Sequence, residues 1–165
     1  MKLTALEIIE KGYITGELSE DNITQVGIDL NVVEVKNISS GGFIPIKGKT
    51  ALPRTSSIEI FHDPEHNCDV WFLSPGIYEI VLKQGCKIPC DYSMELFPRS
   101  SLARCGGSIV APMWDPGFQT EKMTSFMILH KTIKIAVGAR LVQACFIQNT
   151  PIHENNLYKG QFQNK

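Results

Sequence analysis

Arginine and serine are concentrated in the segment Phe97–Gly106, whose side chains are suited to binding phosphate. Arg99 and Arg104 flank Ser100 and Ser101 there, although the whole chain of 165 residues contains only four arginines. Guanidinium groups bind phosphate oxygens through paired hydrogen bonds, and hydroxyls add further donors. A helix start capped by serine, with solvated arginines, explains the same residues without any ligand. The segment therefore predicts a helix start and is a candidate phosphate site.

The segment Trp114–Phe118 contains a candidate general base. Asp115 comes directly before Pro116 and Gly117, and aspartate is a frequent first residue of tight turns. The simpler interpretation is a turn and nothing more. The catalytic interpretation is a carboxylate that accepts a proton from an attacking water, with Phe118 packed against a sugar or a base.

Two further segments carry polar or aromatic groups that need partners. Gln143 lies in an apolar run after a glycine turn at Gly138, and a buried amide must bond to protein or to ligand. Tyr158 and Phe162 lie in a polar C-terminal arm, where aromatic residues are unusual unless they contact something. Both segments are therefore candidate parts of a binding site.

Short strands must position these segments. After a predicted helix at Leu3–Gly12, with a capping box formed by Thr4 and Glu7, no long helical periodicity remains. Many short β-rich runs separated by turns predict a sandwich, barrel or jelly roll in one domain. The predicted strands are Gly27–Val35, Ser57–Phe61, Val70–Leu73, Tyr78–Leu82, Ser93–Phe97, Ser108–Val110, Met123–Leu129, Thr132–Ala136 and Leu141–Ile147.

Composition and charge argue against several classes of function. Apolar residues make up 43% and charged residues 20% of the chain, as in an ordinary soluble domain. A formal net charge of −1 gives no reason to expect a nucleic acid or an anionic membrane as partner. No apolar run is long enough to cross a bilayer, and five cysteines without paired short spacings favour a reduced, cytoplasmic setting.

The segment His62–Asp69 contains ligand types for zinc. It holds two histidines, one cysteine and three acidic residues. However, Asp-Pro and Asn are typical of a turn, and the spacing does not follow the paired-cysteine pattern of structural zinc sites. A solvated hairpin loop is the favoured interpretation, and a zinc site is the alternative.

Taken in order, the candidate segments resemble the five motifs of the trimeric dUTPase and dCTP deaminase superfamily, over most of the chain from Gln25 to Gln163. Five motifs in order are far more specific than any one of them. The Trp-Asp-Pro-Gly-aromatic form of the third is similar to archaeal-type dUTPases in particular, and the fifth resembles the deaminase-like form. The matching segments are Val26–Leu30, Pro98–Arg104, Trp114–Phe118, Gly138–Gln143 and Tyr158–Gln163.

The resemblance implies a fold and an assembly. We expect an all-β protein, a distorted jelly-roll or β-barrel of the trimeric dUTPase type, with a short N-terminal helix. Residues 1–165 would form a single domain. The resemblance also implies a homotrimer, in which the C-terminal arm Asn149–Lys165 closes the active site of a neighbouring subunit.

The resemblance implies a reaction as well. In the dUTPases of this superfamily the residue matching Asp115 directs water at the α-phosphorus, whereas deaminases use a glutamate ten positions further along. That position is Ser125 here, and a hydroxyl is a poor general acid–base at neutral pH. The favoured function is therefore dUTP diphosphatase, which hydrolyses dUTP to dUMP and pyrophosphate. A dCTP deaminase, a bifunctional deaminase and dUTPase, and a non-catalytic nucleotide-binding regulatory protein of the same fold are the alternatives.

The resemblance also implies roles for individual residues. Asp115 is the expected base, and Gln143 is expected to organise the site. Mg²⁺ would be held by the triphosphate without a direct protein ligand, and Asp29 would act on it through water. The expected substrate-binding residues are Arg99, Ser100, Ser101, Arg104, Ala111, Phe118, Tyr158, Phe162 and Gln163. The arginines and serines would serve the phosphates, Phe118 the deoxyribose, the backbone around Ala111 the uracil, and the tail aromatics the closure of the site.

Two positions depart from the family pattern. Gln161 stands where lysine is frequent, which removes one phosphate cation that Lys159 or Lys165 would have to replace. Thr120 stands where the hairpin usually has a glycine. The second departure affects the expected geometry of the hairpin, and with it the selectivity for the base.

Overall fold

A computed structural model describes residues 1–163. Lys165, one of the two lysines that could replace the cation missing at position 161, lies outside the described residues. Within this range the chain forms two α-helices, α1 (Ala5–Glu10) and α2 (Ser100–Arg104), and two 3-10 helices, Glu20–Asn22 and Glu154–Asn156. The thirteen strands of the same range are β1 (Ile14–Thr15), β2 (Ile28–Ile38), β3 (Thr55–Ser57), β4 (Phe61–Asp63), β5 (Cys68–Leu73), β6 (Gly76–Leu82), β7 (Gly85–Lys87), β8 (Tyr92–Pro98), β9 (Gly107–Val110), β10 (Gln119–Thr120), β11 (Thr124–Leu129), β12 (Ile133–Ala136) and β13 (Arg140–Gln148).

The main sheet curls into a nearly closed barrel. Its antiparallel strands follow the order β8-β13-β2-β6-β11-β9, with β3 paired to the far end of β2. Strands β8 and β9, at the two ends of this order, contact each other. The predicted all-β fold of the jelly-roll or barrel type is therefore confirmed.

Alternation of apolar and polar residues explains why these segments form strands. On β11, Ser125, Met127 and Leu129 are buried, and the residues between them are more exposed. On β2, Ile28 and Leu30 face the core and are fully buried. Burial of one such side chain stabilises the fold by about 1.5–3 kcal/mol. Since neighbouring residues of a strand point to opposite faces, residues next to core positions are placed on the outside of the barrel.

The N-terminal helix is confirmed, with the predicted capping box. Thr4 Oγ1 accepts a hydrogen bond from the Glu7 amide at 3.4 Å, and Glu7 Oε2 accepts one from the Thr4 amide at 2.8 Å. Ala5 and Ile8 bury the inner face of the helix. Gly12 has a φ of +66°, in the left-handed region that favours glycine. Among the described residues no helix has the length and apolarity needed to span a bilayer.

Two small sheets extend from the barrel, and they account for the errors of the strand prediction. One has the order β1-β7-β10 and the other β12-β5-β4. Strands of two or three residues, such as β1 and β10, are too short to show a period in the sequence. The single predicted strand Ser57–Phe61 is wrong, because β3 ends at Ser57 in the main sheet and β4 begins at Phe61 in a different sheet.

Candidate active site

Three neighbouring strands bring distant motifs together. Gln143 on β13 lies opposite Asp29 on β2 and opposite Phe97 on β8. Arg99 follows the end of β8, and its amide donates to the Leu141 carbonyl at 2.9 Å. Since the residues on either side of Gln143 are core residues, the strand period places Gln143 and Asp29 on the same outer face of the barrel. Three of the predicted motifs therefore meet at one end of the sheet.

These residues form what we call the polar cluster: Thr24, Asp29, Arg99 and Gln143. Asp29 is only 2% exposed. Its Oδ2 lies 2.7 Å from Arg99 Nε, and its Oδ1 accepts a hydrogen bond from Gln143 Nε2 at 3.4 Å. Gln143 Nε2 also donates to Thr24 Oγ1 at 3.0 Å. The predicted need of a Gln143 amide for partners is thus met within the protein.

The buried carboxylate fixes the guanidinium of Arg99. Burial raises the pKa of the Asp29 carboxyl above its usual range, and the positive charges of Arg99 and Arg140 oppose that rise. Arg99 NH1 donates to the Arg140 carbonyl at 3.2 Å. The Arg99 side chain is one-third exposed, so part of its guanidinium is held by protein and part faces solvent. The solvent-facing part can donate to an anion.

The short helix α2 presents the other candidate phosphate groups. Leu102 is buried and anchors the helix, whereas Ser100, Ser101 and Arg104 are exposed. Their side chains form no hydrogen bond or ion pair with any of residues 1–163. The predicted serine cap is wrong, because the N-cap position is Arg99 and no side chain caps the helix. The two hydroxyls are therefore available to a ligand.

The segment Asp115–Phe118, called the turn below, is tight and rigid. The Phe118 amide donates to the Asp115 carbonyl at 3.1 Å, and the Gly117 amide donates to the Ile88 carbonyl at 2.9 Å. Gly117 has a φ of +85°, and a Cβ added there would lie 2.7 Å from Leu157 Cβ, so glycine is required for two reasons. The Asp115 side chain is exposed, and within residues 1–163 its carboxylate has no hydrogen-bond or ion-pair partner.

Aromatic rings surround the turn. The ring of Phe118 meets that of Trp114 edge to face at 5.0 Å and that of Tyr158 at 5.2 Å between centroids. Phe118 itself is half-buried, which leaves part of its ring open. The indole N–H of Trp114 is buried and has no acceptor among the described residues, and such a donor costs about 1–3 kcal/mol.

The remaining predicted base-binding position lies at the end of β9. Ala111 is half-buried and packs against the core directly after that strand. Ser125, the residue in the position of the deaminase glutamate, is 3% exposed, and its hydroxyl donates to the Val110 carbonyl at 3.4 Å. Thr120 is buried and pairs with Cys86 across β10 and β7. The hairpin thus accommodates a threonine where a glycine was expected.

The C-terminal tail contacts the turn of its own chain. The Tyr158 amide donates to the Pro116 carbonyl at 3.0 Å. Gln163 Nε2 donates to the Gly117 carbonyl at 2.9 Å, and Gln163 Oε1 accepts from the Gln119 amide at 3.3 Å. Phe162, also predicted to cover the ligand, is 39% exposed. Tyr158 therefore contacts the Phe118 ring and Gln163 bonds to the residues on either side of Phe118, so the tail reaches the turn within one chain.

Thr24 was not predicted from the sequence, although it belongs to the polar cluster. Its hydroxyl donates to the Gly27 carbonyl at 2.8 Å and accepts the bond from Gln143. Asn22 plays a similar supporting part, since its Nδ2 donates to the Asp29 carbonyl at 2.6 Å. A threonine three residues before a glycine, directly ahead of the first motif, was the signal available in the sequence.

The zinc-like segment is a hairpin between β4 and β5, as the favoured interpretation predicted. Asp63, Glu65 and His66 lie close enough to hold a metal ion. However, the Asp63 carboxylate is already bound by His66 Nδ1 at 2.7 Å and by Lys134 Nζ at 3.0 Å. These contacts hold the pKa of Asp63 at about 2. The Lys134 ammonium therefore already pairs with the two carboxylates that a metal cation would use.

Together, the nearly closed antiparallel barrel and the meeting of three motifs at its edge define an all-β protein of the dUTPase fold type. The family model described as dCTP deaminase-like matches residues 3–149, and the chain belongs to this family. A solved structure, the 2'-deoxycytidine 5'-triphosphate deaminase from Agrobacterium tumefaciens, matches with a TM-score of 0.65 at 15% identity. The match covers 90% of this chain but 48% of that one, so the chain spans about half of that deaminase.

Relatives similar in sequence span nearly the same length as this chain. A probable deoxyuridine 5'-triphosphate nucleotidohydrolase from Aeropyrum pernix is 27% identical over 99% of this chain and 98% of its own. A deoxyuridine 5'-triphosphate nucleotidohydrolase from Methanocaldococcus jannaschii is 31% identical over 87% of this chain and 91% of its own. The full-length relatives therefore carry the name of the hydrolase rather than that of the deaminase.

Proposed function

We propose that this protein hydrolyses dUTP to dUMP and pyrophosphate. The observation that carries the proposal is the Asp115 carboxylate, which is exposed and without a partner in residues 1–163, on a turn that is itself firmly held. A structural aspartate of a turn normally bonds to nearby backbone amides. A free carboxylate on a rigid support is instead suited to accept a proton from water. The relatives from Aeropyrum pernix and Methanocaldococcus jannaschii support dUTP as the substrate.

The polar cluster and α2 would bind the phosphates. Arg99 would offer the exposed part of its guanidinium, while Asp29 holds Nε and the Arg140 carbonyl holds NH1. Ser100, Ser101 and Arg104 would add two exposed hydroxyls and a second guanidinium on the same helix. Gln143 acts on this cluster by orienting Asp29. Preorganised donors of this kind stabilise the negative charge that develops on the leaving pyrophosphate.

The residues present fit a magnesium ion that is held by the triphosphate rather than by the protein. Asp29 is buried and both of its oxygens are engaged, so it offers no open position for direct coordination. Bound in this way, Mg²⁺ would neutralise charge on the phosphate oxygens and favour in-line displacement. Asp29 would influence it through water, as expected from the sequence.

The nucleoside would lie against the turn. The open part of the Phe118 ring would pack on the deoxyribose and leave no room for a 2′-hydroxyl. The backbone around Ala111 would read the edge of uracil, and cytosine would present the reversed pattern of donors and acceptors there. Mismatched buried polar groups make such discrimination strong. Tyr158 and Phe162, from the tail, would exclude water from the closed site.

The serine at position 125, where a deaminase would have a glutamate, favours hydrolysis over deamination. The hydroxyl is buried, donates to the Val110 carbonyl and is a poor proton carrier at neutral pH. A deaminase needs a group that protonates and deprotonates the base during attack at its C4 carbon. The chain therefore has the carboxylate needed for attack at phosphorus and lacks one at the position expected to act on cytosine.

We also propose a homotrimer whose neighbouring subunits complete each site. None of the contacts described for Asp29, Arg99 and Gln143 involves the turn, although hydrolysis needs both regions around one nucleotide. In this assembly the turn and tail of one subunit would face the polar cluster of the next.

The test is to incubate the purified protein with dUTP or dCTP and magnesium, measuring pyrophosphate and deaminated base separately. We expect pyrophosphate and dUMP from dUTP, and no deoxyuridine nucleotide from dCTP. Deamination of dCTP would contradict the argument from Ser125. Binding of dUTP, seen as a raised Tm, without any turnover would instead identify a non-catalytic nucleotide-binding protein.

A further inference from the structure

Two glutamines of the tail bind backbone in the same way. Gln161 Oε1 accepts from the Thr50 amide at 3.0 Å, and Gln161 Nε2 donates to the carbonyl of the same residue at 3.4 Å. Gln163 likewise accepts from the Gln119 amide and donates to the Gly117 carbonyl. A side-chain amide carries the donor and acceptor of a peptide group, so each glutamine pairs with backbone as a neighbouring strand would.

The two glutamines bind segments that are far apart in the chain. Thr50 belongs to the loop 43–51, whose ends Phe43 and Ala51 exchange two backbone hydrogen bonds of 2.9 Å. Gly117 and Gln119 belong to the turn and to the strand that follows it. The tail segment 158–163 therefore joins the loop to the turn. At position 161 this contact is made by the amide of a glutamine and not by a lysine.

The loop 43–51 is weakly held by its own contacts. The loop 43–51 exposes Phe43, Ile44 and Ile46 to solvent, at 66%, 83% and 102%. Its Lys47 and Lys49 form no ion pair with any described residue. A loop with an apolar tip and unpaired cations is poorly stabilised by its own contacts. The Gln161 contact is therefore well placed to decide where this loop lies.

We propose that Gln161 and Gln163 are positioning residues that clamp the loop 43–51 to the turn, so that the loop forms part of the wall of the nucleotide site. This inference rests on the hydrolysis proposed above. Gln163 fixes the tail on the turn, and Gln161 fixes the loop on the tail. Because lysine has no acceptor for the Thr50 amide, it cannot replace Gln161 in this role.

Amide hydrogen exchange measured by NMR tests the contact without any substrate. We expect the Thr50 amide to exchange at least tenfold faster in Gln161→Ala, and the Gln119 amide to do so in Gln163→Ala. Gln161→Glu keeps the acceptor for the Thr50 amide and should preserve most of its protection. Asn155→Ala is the matched control, because Asn155 lies in the same tail with an exposed side chain that bonds to no described residue. Unchanged Thr50 exchange in Gln161→Ala would overturn the clamp.

Kinetics with dUTP test the positioning role. We expect Gln161→Ala to raise KM about tenfold, with kcat nearly unchanged because the turn keeps its bonds to Ile88. Gln161→Glu should recover part of the affinity, whereas Asn155→Ala should behave as wild type. Gln161→Lys distinguishes a clamp from a missing cation. The clamp predicts a KM above that of wild type, and a KM below it would overturn the proposal.

The failure of the two proposals can be told apart. If the wild-type protein does not hydrolyse dUTP, the proposed function fails and the positioning role fails with it. Faster Thr50 exchange in Gln161→Ala would still establish the contact between tail and loop in that case. If hydrolysis occurs and exchange changes as expected, but KM does not change, the contact exists and the positioning role is wrong.

Discussion

The polar cluster and the turn hold their functional groups in opposite ways. In the polar cluster every carboxylate oxygen of Asp29 has a partner, and the sheet register of β2, β13 and β8 fixes the positions. In the turn the backbone is fixed by hydrogen bonds, while the Asp115 carboxylate remains without a partner in residues 1–163. A group that only orients or binds is held more firmly when all of its hydrogen bonds are made. A group that must take up a proton needs a lone pair that no other donor occupies. In the proposed reaction, this difference would separate the residues that hold the substrate from the residue that reacts.

The largest effect is expected from Asp115→Asn. The amide keeps the shape of the side chain but cannot accept a proton, so kcat for dUTP should fall by about 10²–10⁴-fold. KM should change little, because the polar cluster and α2 remain intact. Steady-state pyrophosphate release measures both constants.

Glu121→Gln is the matched control for that substitution. Glu121 is an exposed acidic residue on the same hairpin, and its side chain bonds to no described residue. It should keep wild-type kcat. If Asp115→Asn and Glu121→Gln have equal activity, Asp115 is not the base and the contrast between the two regions fails.

A smaller effect with a distinctive asymmetry is expected from the Asp29–Arg99 pair. Arg99→Gln leaves a buried carboxylate without its cation, and should destabilise the fold by about 1–3 kcal/mol, since the guanidinium is partly solvated. Asp29→Asn leaves only an arginine that can turn to solvent. Burial raises the pKa of Asp29, so folding disfavours the ionised side chain. The protonated side chain therefore stabilises the fold at low pH, and this stability is lost as pH rises through the raised pKa. Asp29→Asn should therefore match or exceed wild-type stability near neutral pH.

Both substitutions should nevertheless lower kcat/KM by about 10²-fold. Arg99→Gln removes the guanidinium itself, and Asp29→Asn removes the carboxylate that orients it. Thermal unfolding followed by circular dichroism separates stability from activity. The double variant Asp29→Asn, Arg99→Gln should recover stability relative to Arg99→Gln alone, without recovering activity. Equal destabilisation by the two single changes would contradict the assignment of Asp29 as a buried orienting group.

The parts that could be predicted from sequence were those encoded locally. Alternation on β11 and the Thr4–Glu7 capping box report neighbouring contacts only, and both were correct. The order of motifs predicts Arg99, Asp115 and Gln143 as site residues, and the structure brings Arg99 and Gln143 together around Asp29. The strand prediction failed at Ser57–Phe61, where the chain changes sheets without a change in residue pattern.

What escaped prediction depends on pairs distant in sequence. Gln143 is 119 residues from Thr24, and Gln161 is 111 residues from Thr50. No periodicity connects such positions, because they meet only once the barrel is closed. The sequence therefore shows Gln161 only as the absence of a frequent lysine, whereas the structure gives its side chain two hydrogen bonds to the Thr50 backbone.

The smallest effect on catalysis is expected outside both regions, at Asp63. His66 and Lys134 hold the pKa of this carboxyl at about 2, below the usual value of about 3.9. A lowered folded-state pKa means that the ionised group stabilises the fold fully above about pH 4, and that this stability is lost as pH falls toward 2. Asp63→Asn should therefore lower Tm at neutral pH, and the difference from wild type should shrink steadily between about pH 4 and pH 2.

Activity of Asp63→Asn toward dUTP should stay at wild-type level, since β4 belongs to a separate sheet. A Tm difference that does not depend on pH would show that packing at Asp63, rather than its charge, stabilises the hairpin. A large loss of kcat would instead mean that the hairpin between β4 and β5 takes part in the reaction, and the division into a binding cluster and a reacting turn would have to include a third region.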